Sequence, residues 1–138
     1  MGRPEVIRRR LQKLDTFLGY LEDAQSYSFD EFQSDIEVYS AVERNLQLAI
    51  EALSDMASHV IVDENLGSFE RARDLPGLFE EHGFIGEEER NTWEDMIGFR
   101  NVLVHEYVDI ERSRVYEILQ HRLDDIRHLS HVFDRFLE

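Results

Sequence analysis

The chain has 138 residues, 42% hydrophobic and 33% charged, which fits one domain over residues 1–138 with enough apolar surface for a core. It has no cysteine, which excludes a disulfide framework and thiolate metal sites, and no apolar run long enough to cross a membrane. A formal charge of −15, with Lys13 the only lysine, opposes general nucleic-acid binding. DNA is therefore not an expected partner, and any RNA contact has to be local and built from a few arginines. Arg8, Arg9 and Arg10 are not followed by the apolar stretch of a secretory signal, so a cytoplasmic protein is expected.

From the N-terminus, Ile7, Leu11, Leu14, Leu18 and Leu21 alternate at four- and three-residue spacing and predict a helix from about Glu5 to Asp23. A polar break follows, in which Ser28 or Asp30 can cap a short turn around Phe29 and Phe32. The longest helix is predicted from Ser34 to Val62. Tyr39, Val42, Leu46, Ala49, Leu53, Met56 and Val60 form its seam, and Ile36, Leu48, Ile50 and Ile61 widen it into the stripe of a bundle helix. Residues 63–73 read as a connection with Gly67 as the stop signal. Asp74 is placed to cap a short helix over Leu75 to His82, with Pro76 in its first turn and Gly83 ending it. Gly86 leads into Glu87, Glu88 and Glu89, three carboxylates suited to the positive end of a helix dipole. That helix is expected to reach Tyr107, and Gly98 inside it suggests a close backbone neighbour. A final helix is predicted from Ser113 to Leu137. No segment alternates with period two, so the expected fold is all-α, an antiparallel bundle of four to five helices.

The run Arg100-Asn101-Val102-Leu103-Val104-His105-Glu106-Tyr107 puts a cation where a helix buries apolar groups. At ~100° per residue Trp93, Met96, Ile97, Leu103, Val104 and Tyr107 share a face, with Arg100 in its middle. A guanidinium keeps its charge, and leaving it buried and unpaired costs several kcal/mol. It therefore needs an anion. That anion is either a core carboxylate such as Glu43 or Glu51, or a group handled at a site or subunit interface.

The same run reads as R-x4-H-x-Y, with Met96-Ile97-Gly98-Phe99 leading into it, and it resembles the signature of the HEPN superfamily and its HepT-like toxins. The segments Val42 to Ala52 and Asp55 to Ile61 are similar to that family's long second helix. The resemblance implies a metal-independent endoribonuclease, the toxin of a type VII-like toxin–antitoxin system, with no metal and no cofactor. It also implies a homodimer that pairs two copies of the motif helix, and a partner nucleotidyltransferase antitoxin of the MNT type. Arg100 would stabilise the phosphoryl transition state and His105 would move protons, as a histidine does near neutral pH. Asn101 would contact phosphate or ribose, and Tyr107 would be the tyrosine that the antitoxin silences by AMPylation. The alternative is a non-catalytic helical module that uses the same surface to bind a nucleotide or dock a nucleotidyltransferase.

Other constellations are weaker. His121, Asp124, Asp125, His128 and His131 share a side of the last helix, but no Glu-x-x-His occurs and they lie opposite the apolar stripe, so a solvated face is expected. His59 is taken as a packing or capping histidine. Arg8, Arg9 and Arg10 could grip RNA phosphates or form a solvated first turn. Trp93 and Phe99 could stack on bases or serve as core or dimer contacts.

Overall fold

The computed structural model describes residues 3–105 and 110–137, and every regular element among them is helical. Helix α1 spans Pro4–Ala24, with proline in the first turn where its missing N–H costs nothing. Ile7, Leu14, Leu18 and Leu21 of its seam are buried. Helix α2, Phe29–Ser34, starts from a reciprocal cap: Ser28 Oγ accepts from the Glu31 amide at 3.2 Å, and the Glu31 carboxylate accepts from the Ser28 amide at 2.8 Å. Those bonds from Ser28 hold the Glu31 carboxyl below the usual carboxylate range. Of the two caps the sequence allows, Ser28 serves.

Helix α3, Ile36–Asp63, is the central scaffold. Asp35 opens it, accepting from the Glu37 amide at 3.0 Å. Val42, Leu46, Ala49, Leu53 and Met56 are fully buried along it. Ile36 departs from the expected stripe and is 60% exposed, because it occupies the first helical position, before the bundle closes around α3. The pairs Arg3–Asp63 and Arg10–Asp55 tie the start of α1 to the last turns of α3, so the two helices run antiparallel. The α3 stop is Asn65, not Gly67: Asn65 takes the left-handed conformation (φ 54°) and the Leu66 amide donates back to the Ile61 carbonyl at 2.9 Å.

Asp74 does not cap the short helix α4, Leu75–Glu81. Its carboxylate reaches backward to the Glu70 and Arg71 amides, at 3.0 and 3.1 Å, closing a 3-10 turn over Ala72–Asp74. Gly83, at φ 77°, ends α4 as expected, with the Phe84 amide on the Phe79 carbonyl at 2.9 Å. Helix α5, Glu87–Val104, runs over the α3 face, and the Glu89 side chain accepts from the Gly86 amide at its start. It stops at Val104, short of the expected Tyr107.

The predicted last helix is three pieces: α6 Arg112–His121, α7 Leu123–His131 and a 3-10 turn Val132–Phe136. The break at Arg122 (φ −120°, ψ 2°) has a tertiary cause. The Gln25 side chain donates to the Leu119 carbonyl at 2.9 Å, the acceptor on which Leu123 would continue the ladder, and Gln120 donates to the Gln25 carbonyl at 2.9 Å. The bend lets α7 return across α1 and α3, so that Ile126, Leu129 and Phe133 complete the core.

Candidate functional site

Arg100 sits in the last turn of α5, held from two sides. Its Nε and Nη2 donate to Glu51 Oε2 at 2.7 and 2.5 Å, and Nη1 donates to the Asn101 side-chain oxygen at 3.1 Å. Gln47, one turn before Glu51 on α3, donates to that same Oε2 at 3.0 Å. The carboxylate thus collects three N–H donors. Of the two acids the sequence offers, Glu51 supplies the anion. Glu43, two turns earlier, belongs to another group: it bonds to the Tyr39 hydroxyl, and the Arg112 guanidinium lies 4.4 Å from the Tyr39 ring centre. Burial, reinforced by Glu43, pushes the Tyr39 hydroxyl up to about 12, and burial also raises the Glu43 carboxyl.

The Arg100 side chain is 33% exposed, so the cation is at the rim of the core and not within it. Trp93, Met96 and Ile97 of its predicted face are buried, whereas Leu103 and Val104 are half-buried. Trp93 and Phe99 are both buried, so they are core residues and cannot offer a face for stacking. Arg100 and Asn101 line a cavity of about 180 Å³ with Ile50, Glu51, Ser54, Ala72 and Ile97. A guanidinium carries five N–H donors, and three are engaged here. Two remain for an incoming oxyanion.

His105 is the first residue beyond α5. It is exposed with an extended backbone (φ −87°, ψ 106°), and its amide donates to the Val102 carbonyl at 3.3 Å. The helical projection used for the motif therefore ends one residue before its histidine. Tyr107 lies outside the described residues. The motif thus presents Arg100 and Asn101 on a rigid helix end and His105 on the chain leaving it.

The remaining histidines are dispersed. His128 contacts Glu89 at 2.8 Å and His131 contacts Asp134 at 3.2 Å, and no cluster suited to a metal occurs among the described residues. His59 lies 4.0 Å from Asp55, one turn back on its own helix. No described helix is long and apolar enough to cross a membrane. Gly98 meets no close neighbour: a Cβ there would find nothing within 4 Å among the described residues. Sequence reasoning passed over Gln47 and Ser54. The polar ladder Glu43-Gln47-Glu51, repeating every four residues, was the available signal for the first of them.

Comparison with known proteins places this geometry in context. The ribonuclease HepT-like family matches residues 7–132. Over 108 residues the chain is 29% identical to the mRNA nuclease HepT of Shewanella oneidensis, covering 78% of this chain and 76% of that one. It is also 29% identical over 115 residues to the tRNA nuclease HepT of Aphanizomenon flos-aquae, covering 82% and 77%. In structure it superposes on a tri-AMPylated Shewanella oneidensis HEPN toxin in complex with MNT antitoxin, with a TM-score of 0.87 at 24% identity, covering 98% of this chain and 99% of the other. At that identity the superposition establishes the fold.

Proposed function

The chain belongs to the ribonuclease HepT-like family, and from that premise we propose that it is a metal-independent endoribonuclease toxin, folded as one domain and acting in the cytoplasm. The observation that carries the proposal is Arg100: a one-third exposed guanidinium, aligned by Glu51 and Asn101 on the wall of a cavity, with His105 five residues on. The fork matches two non-bridging oxygens of a phosphate, and the positive charge opposes what builds up in the crowded transition state. Asn101 adds a contact to phosphate or ribose.

Cleavage needs a base and an acid. The ribose 2′-hydroxyl gives its proton to one imidazole and attacks phosphorus, while the 5′-oxygen leaves with a proton from a second imidazole. A cyclic 2′,3′-phosphate and a 5′-hydroxyl result, with protons and charge conserved. One His105 cannot fill both roles at once, so the site is composite, formed where two copies bring their α5 ends together. The nuclease activity itself is supported by two relatives, which are named as nucleases of mRNA and of tRNA.

Regulation follows from the motif tyrosine. A partner nucleotidyltransferase antitoxin transfers adenylate from ATP to the Tyr107 oxygen, which gives up its proton to solvent as pyrophosphate leaves. The anion so fixed, two residues from His105, blocks the phosphate site. A structural relative is described as tri-AMPylated and bound to an MNT antitoxin, which supports that partner for this chain.

The decisive test is incubation of purified protein with cellular RNA in excess chelator. Wild type is expected to yield products ending in cyclic phosphate, and His105→Ala to yield none while keeping its helical spectrum and its mass in solution. Cleavage undiminished in His105→Ala overturns the assignment. Intact mass after co-expression with a nucleotidyltransferase of the MNT type tests Tyr107: adenylate is expected on wild type and absent on Tyr107→Phe.

A further inference from the structure

The Arg100 cavity is not isolated. Glu51, Ser54 and Ala72 also line a larger groove of about 690 Å³ that continues from it between α1 and α3. The α1 wall of that groove is formed by Arg9, Arg10, Lys13 and Phe17, which fall within about 100° of one another around the helix axis. Phe69, half-buried, closes part of the opposite side.

Charge in this groove runs against the rest of the molecule. The chain carries 30 acidic and 15 basic residues, yet the groove gathers its only lysine with two arginines and opens toward a third, Arg100. Both acids lining it are already committed, Asp55 to Arg10 and Glu51 to Arg100. Arg9 and Lys13 are exposed and have no ion-pair partner among the described residues. They stand one helical turn apart, about 6 Å along the axis. Two unneutralised cations in line with a phosphate-sized site suit a chain of phosphates better than a single anion.

We propose that the groove between α1 and α3 is a track for the sugar–phosphate backbone of single-stranded RNA, with Arg9 and Lys13 each holding a phosphate on the path to Arg100. The proposal rests on the nuclease reading above for the nature of the ligand. It assigns to α1 the local basic contact that an acidic chain requires, and the apolar walls from Phe17 and Phe69 give bases a surface to lie against.

The test uses the full chain carrying His105→Ala, a fluorescent single-stranded oligoribonucleotide and anisotropy titrations across a salt series. Adding Arg9→Gln and Lys13→Gln is expected to weaken binding roughly tenfold at moderate salt and to flatten the slope of log affinity against log salt by about 1.4, or 0.7 per lost phosphate contact. Arg9→Lys with Lys13→Arg, which keeps the charges, should restore both. An unchanged affinity and slope overturn the proposal, as does the absence of any RNA binding. So does a change in the oligomer's mass accompanying the loss, which would mark the groove as an interface between copies. Failure of the nuclease reading is separate: RNA then binds through Arg9 and Lys13, but protein with His105 intact does not cut it.

Discussion

The early turns of α5 and its last turn use the same backbone for opposite purposes. In the first, Trp93 packs edge-on against Phe79 at 5.3 Å between ring centres and lies 6.2 Å from Phe133, within an aromatic cluster that includes Phe84 and Phe136. In the second, Arg100 and Asn101 face a cavity, and their bonds run to polar side chains. The aromatic end buries large uncharged rings, so it anchors the helix. The polar end contributes little to stability and holds a cation in a fixed direction. The candidate site thus stands at the end of an element whose stability comes from elsewhere, as a preorganised site requires.

That contrast can be broken by mutation. Phe79→Ala, at the centre of the ring cluster, is expected to destabilise the protein by about 3–5 kcal/mol in urea unfolding, the range for losing a buried aromatic side chain. A smaller effect is set by pH. The Tyr39 hydroxyl titrates near 10 in the unfolded chain and at about 12 in the folded one, so the folded state keeps its proton longer. Its stabilising contribution is whole below pH 10 and is lost as pH rises toward 12. Unfolding midpoints should fall across that window, and Tyr39→Phe should flatten the fall.

Smaller still is the Arg100–Glu51 pair. A double-mutant cycle with Arg100→Met and Glu51→Gln should return a coupling of only about 0.5–1 kcal/mol, because both side chains are about one-third exposed. A coupling near that of a buried ion pair would erase the contrast between the two ends. An effect of similar size is a gain. Gly98→Ala should stabilise α5 by about 0.5–1 kcal/mol, since the space for a methyl group is open. If it also weakens the proposed dimer, the close neighbour expected at Gly98 belongs to the second copy.

Much of the scaffold was legible because it is periodic. The seams of α1 and α3 can be read from leucine spacing, and Ser28 and Gly83 from the chemistry of caps and stops. What escaped depends on partners distant in sequence. The break at Arg122 comes from Gln25, 94 residues before the carbonyl it takes. The choice of Glu51 over Glu43 depends on where α5 lies along α3, which two acids on one helical stripe cannot reveal. Asp74 misled because a capping residue can satisfy amides behind it as well as ahead. In the site, the need of Arg100 for an anion followed from its place on an apolar face, whereas the departure of His105 from the helix did not. Periodicity describes a helix without fixing its last residue.

The Glu51 carboxylate has one more consequence. It already occupies part of the guanidinium, so it acts as a tethered competitor for any weakly held anion that needs those same donors. If the pair is worth about 0.5–1 kcal/mol, such an anion is held roughly two- to fivefold more weakly than by an unencumbered arginine. A ligand that draws on the two spare N–H groups, or that brings several charges at once, escapes most of that handicap. On the proposed reading, Arg100 is thereby biased by that factor against chloride and single carboxylates and in favour of a polyanion.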